Sequence, residues 1–84
     1  MIKVLYFASM REQLGADAEE LEALPELTDM SRLTHHLRQR GGVWAEVFGE
    51  RETVLMAVNQ EVANGDTPIK DGDEIAYFPP VTGG

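Results

Sequence analysis

Met30, Leu33 and Leu37 fall at i, i+3 and i+7, so the segment Met30–Arg40 presents one apolar stripe along a helix. That stripe must be covered, and β-like runs lie on both sides of it. The chain has 84 residues, enough for one small core and no more. Thr28 or Asp29 caps the helix at its start. Arg38 and Arg40 suit the negative end of its dipole, and Gly41-Gly42 stop it.

Ile2–Ala8 is rich in β-branched and aromatic residues and reads as a strand. Ile2, Val4 and Tyr6 share one face. Lys3, Leu5 and Phe7 share the other, and Lys3 marks that face as the outer one. Ser9-Met10-Arg11-Glu12 has capping-box spacing, so a short helix is expected from Ser9 to Gly15. Asp17–Leu24 stays open between strand and helix: its alternation suits a strand, its Glu, Ala and Leu suit a helix. Trp44, Val47 and Phe48 form an apolar knot on a short helical turn, with Trp44 in the core. Val54–Val58 is almost wholly apolar and is expected at the centre of the sheet. Asn64-Gly65 and Asp71-Gly72-Asp73 are turns, and Ile75–Phe78 is the last strand. One helix on a small mixed sheet, with first and last strands adjacent, is an α+β architecture of the β-grasp, ubiquitin-like kind. Residues 1–78 form that domain and 79–84 an extended tail.

Composition narrows the function. Seven Lys+Arg against fifteen Asp+Glu give 7 − 15 = −8, which disfavours nucleic acid and anionic membrane surfaces as partners. The chain contains no cysteine, so it has neither disulfides nor thiolate-held metal. No targeting or membrane-spanning segment is visible, which points to the cytoplasm. Adjacent His35 and His36 point about 100° apart on a helix and do not converge on a metal. Asp71–Glu74 lacks the spacing of a calcium loop, and Lys70 before it is expected to be solvated. The acidic stretch Glu19–Glu26 reads as a wet face that helps steer the chain to a basic partner.

The sequence closes with Pro79-Pro80-Val81-Thr82-Gly83-Gly84. Two prolines stiffen the exit from the last strand, and six residues reach on the order of 20 Å. Two glycines make the end slim enough to thread a narrow active site. A carboxylate is a poor electrophile, so acyl chemistry at Gly84 requires prior activation, typically as an acyl-adenylate.

The segments MIKVLYFASMRE, Val58-Asn59-Gln60 and above all DGDEIAYFPPVTGG closely resemble the small, sulfur-carrier subunit of molybdopterin synthase. The resemblance spans the chain and is loose through residues 16–51. It implies that an adenylyltransferase activates Gly84 with ATP and that a sulfur donor enzyme converts it to a thiocarboxylate. Gly83 and Gly84 then enter the large synthase subunit, where the sulfur passes to cyclic pyranopterin monophosphate. It implies a heterotetrameric synthase, no permanently bound cofactor, and no catalysis by the small subunit alone. Phe7, Arg11, Val62 and Phe78, with Pro80, Val81 and Thr82 of the tail, are the implied partner-binding residues. The outward set Leu5, Phe7 and Phe78, with Glu74 and Ala76 on the same face, agrees with such a docking patch. Three other readings share this sequence: a ubiquitin-like modifier, a carrier for another thiolation route such as thiamine synthesis, and a non-catalytic interaction module.

Overall fold

Alternation along the two terminal strands builds the inner face of a sheet, and the helical stripe covers it. A computed structural model describes residues 1–49 and 53–80. Its elements are β1 (Ile2–Tyr6), α1 (Ala8–Leu14), β2 (Ala18–Leu21), α2 (Met30–Arg38), α3 (Val43–Val47), β3 (Leu55–Val58), β4 (Glu61–Ala63) and β5 (Glu74–Phe78). The five strands lie in the order β2-β1-β5-β3-β4. β1 and β5 run parallel, with Val4 opposite Ile75 and Tyr6 opposite Tyr77; the other pairings are antiparallel. This is the β-grasp roll.

Ile2, Val4, Tyr6, Ile75 and Tyr77 point inward and are buried, as are Met30, Leu33 and Leu37 of α2. Each fully buried aliphatic side chain contributes about 1.5–3 kcal/mol. Tyr6, Phe48 and Tyr77 complete the core as an aromatic cluster: Phe48 meets Tyr77 edge-on at 4.9 Å between centroids, and Tyr6 stacks on Tyr77 at 6.2 Å. The Tyr77 hydroxyl stands 2.8 Å from Thr34 Oγ1, which satisfies a polar tip inside the core. Burial pushes the Tyr77 phenol well above its ordinary pKa, so it stays neutral.

The start of α2 is closed by the chain itself. Asp29 caps it, its carboxylate accepting from Arg32 N at 2.9 Å. The carbonyls of Thr67 and Gly65 accept from Met30 N and Ser31 N, each at 3.0 Å. With Leu33 N donating to Asp29 O at 3.1 Å, all four N–H groups from Met30 to Leu33 have partners within the protein.

Several sequence expectations change. The first strand ends at Tyr6, and α1 begins at Ala8 with Phe7 as its N-cap and no side-chain cap. Ser9 thus lies inside the first turn, two residues past the cap position. The chain turns this corner with Ala8 at φ 54, a left-handed conformation uncommon for a residue with a Cβ. α2 ends at Arg38, which frees Arg40 for another role. β5, not the strand at 54–58, occupies the centre of the sheet. β4 was not expected: a two-residue loop, Asn59-Gln60, with both φ values positive (49 and 69), folds it back on β3. At 17–24 the strand reading prevails over residues 18–21, because β1 offers an open edge there.

Asp73 is buried at the start of β5. Its carboxylate accepts from Asn59 Nδ2 at 3.0 Å, from Lys70 N at 2.8 Å and from Lys70 Nζ at 3.2 Å. Lys70 is exposed as expected, yet paired. Burial pushes the Asp73 carboxyl up, but these three donors outweigh it and hold the group below its usual value. A depressed carboxyl adds stability that is present above its unfolded pKa and is lost as pH falls through the folded value. Asp73→Ala should therefore cost about 1–3 kcal/mol in urea unfolding at pH 7, by stranding the Lys70 N–H and the Asn59 amide. The gap to the native chain should narrow as the pH is lowered below about 4.

Candidate functional site

The outward face of the sheet carries an apolar band. Strand register places Ala18, Leu5, Ala76, Ala57 and Val62 in one row across all five strands. A neighbouring row holds Phe78 opposite Leu55, with Phe7 beside them: Phe7 N donates to Tyr77 O at 3.1 Å. Val62 is 92% exposed and Phe7 45%, while Phe78 is half-buried. On the other side, Glu20, Lys3 and Glu74 form a polar border in register. Large exposed apolar residues gathered on one sheet face, with a charged rim, have the composition of a docking patch.

Phe7, Val62 and Phe78 thus share one face, Val62 at the β4 edge. Arg11 is exposed one turn into α1, and no hydrogen bond or ion pair ties it to the patch among the described residues. Pro80 is exposed beyond the end of β5. Val81, Thr82, Gly83 and Gly84 lie outside the described residues.

β5 runs along the middle of the sheet, so the chain leaves it at the end where α1 begins. There Pro79 and Pro80 border a cleft of about 310 Å³. Its other walls come from α1 (Ser9, Met10, Gln13), α3 (Glu46, Val47) and the approach to β3 (Thr53, Val54). Sequence reading missed this cleft, because its walls meet only once the sheet has closed.

A polar clamp holds α3 in place. Arg40 donates to both oxygens of Glu19, at 2.9 and 2.7 Å, and the Tyr6 hydroxyl donates to Glu19 Oε2 at 2.8 Å. The Arg40 guanidinium lies 4.4 Å from the Trp44 ring centroid. Arg38 Nε donates to Phe48 O at 2.8 Å. Glu19 is therefore part of a tertiary network rather than a wet face, and Trp44 sits at the margin of the core. The Arg40 hydrogen bonds outweigh burial and hold the Glu19 carboxyl below its usual value. Burial and the Glu19 carboxylate push the Tyr6 phenol up.

The described residues hold no group of three or more His, Cys, Asp or Glu able to bind a metal. His35 is exposed and lies 3.0 Å from Gln39 through its Nε2. No described helix is long and apolar enough to cross a membrane.

The sequence matches the ThiS family over residues 4–84. The chain belongs to the ThiS family. Among its relatives in that family, the molybdopterin synthase sulfur carrier subunit of Escherichia coli (strain K12) is 45% identical over 84 residues, which cover all of both chains. Among solved structures, a Pyrococcus furiosus protein assigned as molybdopterin converting factor, subunit 1, is 33% identical with a TM-score of 0.76, over 95% of this chain and 97% of that one. A complex of subunits 1 and 2 of the molybdopterin-converting factor from Helicobacter pylori contains a chain 28% identical, TM-score 0.66, over 99% and 97%. These similarities extend along almost the whole length of this ThiS-family chain, as the resemblance implied.

Arg40→Ala should lower unfolding stability by about 1 kcal/mol, a figure already discounted for the pair's partial exposure. Glu19 is depressed in the folded state, so that loss should be full above its ordinary value of about 4.3 and should fade as the pH drops through the folded value. Urea titrations of both chains at pH 7 and pH 3 check it.

Proposed function

We propose that this chain is the sulfur-carrier subunit of a molybdopterin synthase. The similarity to the Escherichia coli carrier, at 45% identity over the whole of both chains, carries the reading. The family match running through Gly84, and the apolar band on the outward sheet face, support it.

In this reading an activating enzyme adenylates Gly84: a carboxylate oxygen attacks the α-phosphorus of ATP and pyrophosphate leaves. A sulfur donor displaces AMP from the acyl carbon and leaves a thiocarboxylate. The tail enters the large subunit, where the sulfur displaces an oxygen substituent from a carbon of cyclic pyranopterin monophosphate; water then cleaves the acyl–sulfur bond, leaving the sulfur on the pterin and a carboxylate at Gly84. A thiocarboxylate is ionised at neutral pH and is a better nucleophile than a carboxylate. Its tether confines the sulfur to one active site, a positioning effect. Acid–base groups come from the partner, because among the described residues lining the cleft at the tail exit only Glu46 is an acid or base. Gly83 and Gly84 admit the acyl carbon to a channel that a Cβ would obstruct. Phe7, Val62 and Phe78 dock on the partner, with Arg11, Pro80, Val81 and Thr82 completing the contact. Activation and transfer belong to the cytoplasm, where ATP is available.

Intact-mass measurement of the chain from cells tests the carrier state. The expected form has one terminal oxygen replaced by sulfur, and removal of Gly84 should abolish both that form and cofactor synthesis. Synthesis that continues without Gly84 would refute the reading; isopeptide adducts in its place would favour a modifier. Separately, Phe78→Ala should weaken binding to the large subunit by about 1–2 kcal/mol in calorimetric titration. An unchanged affinity would place the docking surface elsewhere.

A further inference from the structure

The cleft at the tail exit is left over by the carrier reading, which uses the outward sheet face and the tail. Its walls differ in chemistry. Met10 and Val47 give an apolar floor, both packed with the core. Ser9, Gln13 and Glu46 bring a hydroxyl, an amide and a carboxylate to the rim, and all three are exposed. The two prolines on the remaining side offer carbonyls and no N–H. Acceptors therefore predominate, and among the described walls the one charged residue is the acid Glu46. No hydrogen bond or ion pair engages its carboxylate among the described residues.

We propose that this cleft receives an arginine side chain from the protein that takes up the tail; the proposal rests on the carrier reading above. The chemistry selects the occupant. An arginine stem is apolar and fits the Met10–Val47 floor, while its guanidinium presents five donors in a planar fork. Glu46 can accept two of them side by side, and Gln13 and Ser9, which also line the cleft, bring further acceptors. A lysine ammonium, a compact point charge, leaves part of that acceptor set unused. Charge complementarity agrees, since the chain carries −8 overall. Position agrees as well. Pro79 and Pro80 are at once walls of the cleft and the root of the tail, so any protein that encloses the tail passes over the opening. An arginine seated there grips the carrier at the tail's base and fixes the direction in which the last residues enter.

The test uses the full chain and the large synthase subunit. Glu46→Gln should raise Kd about tenfold and flatten its dependence on salt. Glu12→Gln, an exposed acid outside the cleft, should change Kd less than twofold, as expected of a surface charge acting mainly on the association rate. If Phe78→Ala weakens binding while Glu46→Gln leaves both Kd and salt slope unaltered, the cleft proposal fails and the carrier reading stands. If the native chain does not bind the subunit at all, the carrier reading fails. A second measurement needs no partner protein. Titration with N-acetyl-arginine amide should shift the NMR signals of Ser9, Gln13 and Val47, and Glu46→Gln should remove those shifts. Shifts spread evenly over acidic surface residues, or unaffected by the substitution, would overturn the proposal.

Discussion

Everything in this fold depends on the parallel pairing of β1 with β5. It joins residues about seventy positions apart, and the whole intervening chain must close as a loop before the pair forms. Val4 beside Ile75, and Tyr6 beside Tyr77, supply the inner face on which α2 lies. The same pairing sets the outer face, because alternation that turns Tyr6 and Tyr77 inward turns Leu5, Ala76 and Phe78 outward. It also aims the tail: β5 is central and runs with β1, so the chain leaves the sheet beside the α1 corner. Core, outward apolar band and cleft are three consequences of one register.

Much of this was legible because period and burial coincide. The α2 stripe, the two terminal strands and the Trp44–Phe48 turn each carry a local apolar pattern that no tertiary contact contradicts. The features that escaped depend on residues distant in sequence. Arg40 looked like a helix-terminal charge, and only the approach of β2 makes it a ligand of Glu19. Ser9 has the right spacing for a cap, but Phe7 keeps its backbone bonded to Tyr77, and the cap falls two residues earlier, at Phe7. β4 is three residues long, too short to show a period, and depends on the Asn59-Gln60 turn. The docking face could be read from Lys3 and Glu74 marking the wet side. The cleft could not, since three separate elements and the tail root build it.

The chemistry is divided between proteins. This chain contains no cysteine, so in the proposed carrier role no thiol of its own competes with sulfur at Gly84. Its aromatic hydroxyls, Tyr6 and Tyr77, are buried, hydrogen-bonded and shifted upward, which keeps them out of proton transfer near neutral pH. In the proposed role, what remains is a handle: a sheet face for recognition and a tail for delivery.

The two outer strands have a further consequence. β2 and β4 leave unpaired backbone at both margins of the sheet, beside an apolar face that would favour self-association. Both are short, four and three residues, and both carry acids: Glu19 and Glu20 on one, Glu61 on the other. Two copies brought edge to edge would set like charges together and gain few ladder bonds. Strand-to-strand polymerisation is thus discouraged at the margins, and the sticky surface is left for a partner that approaches from above the sheet.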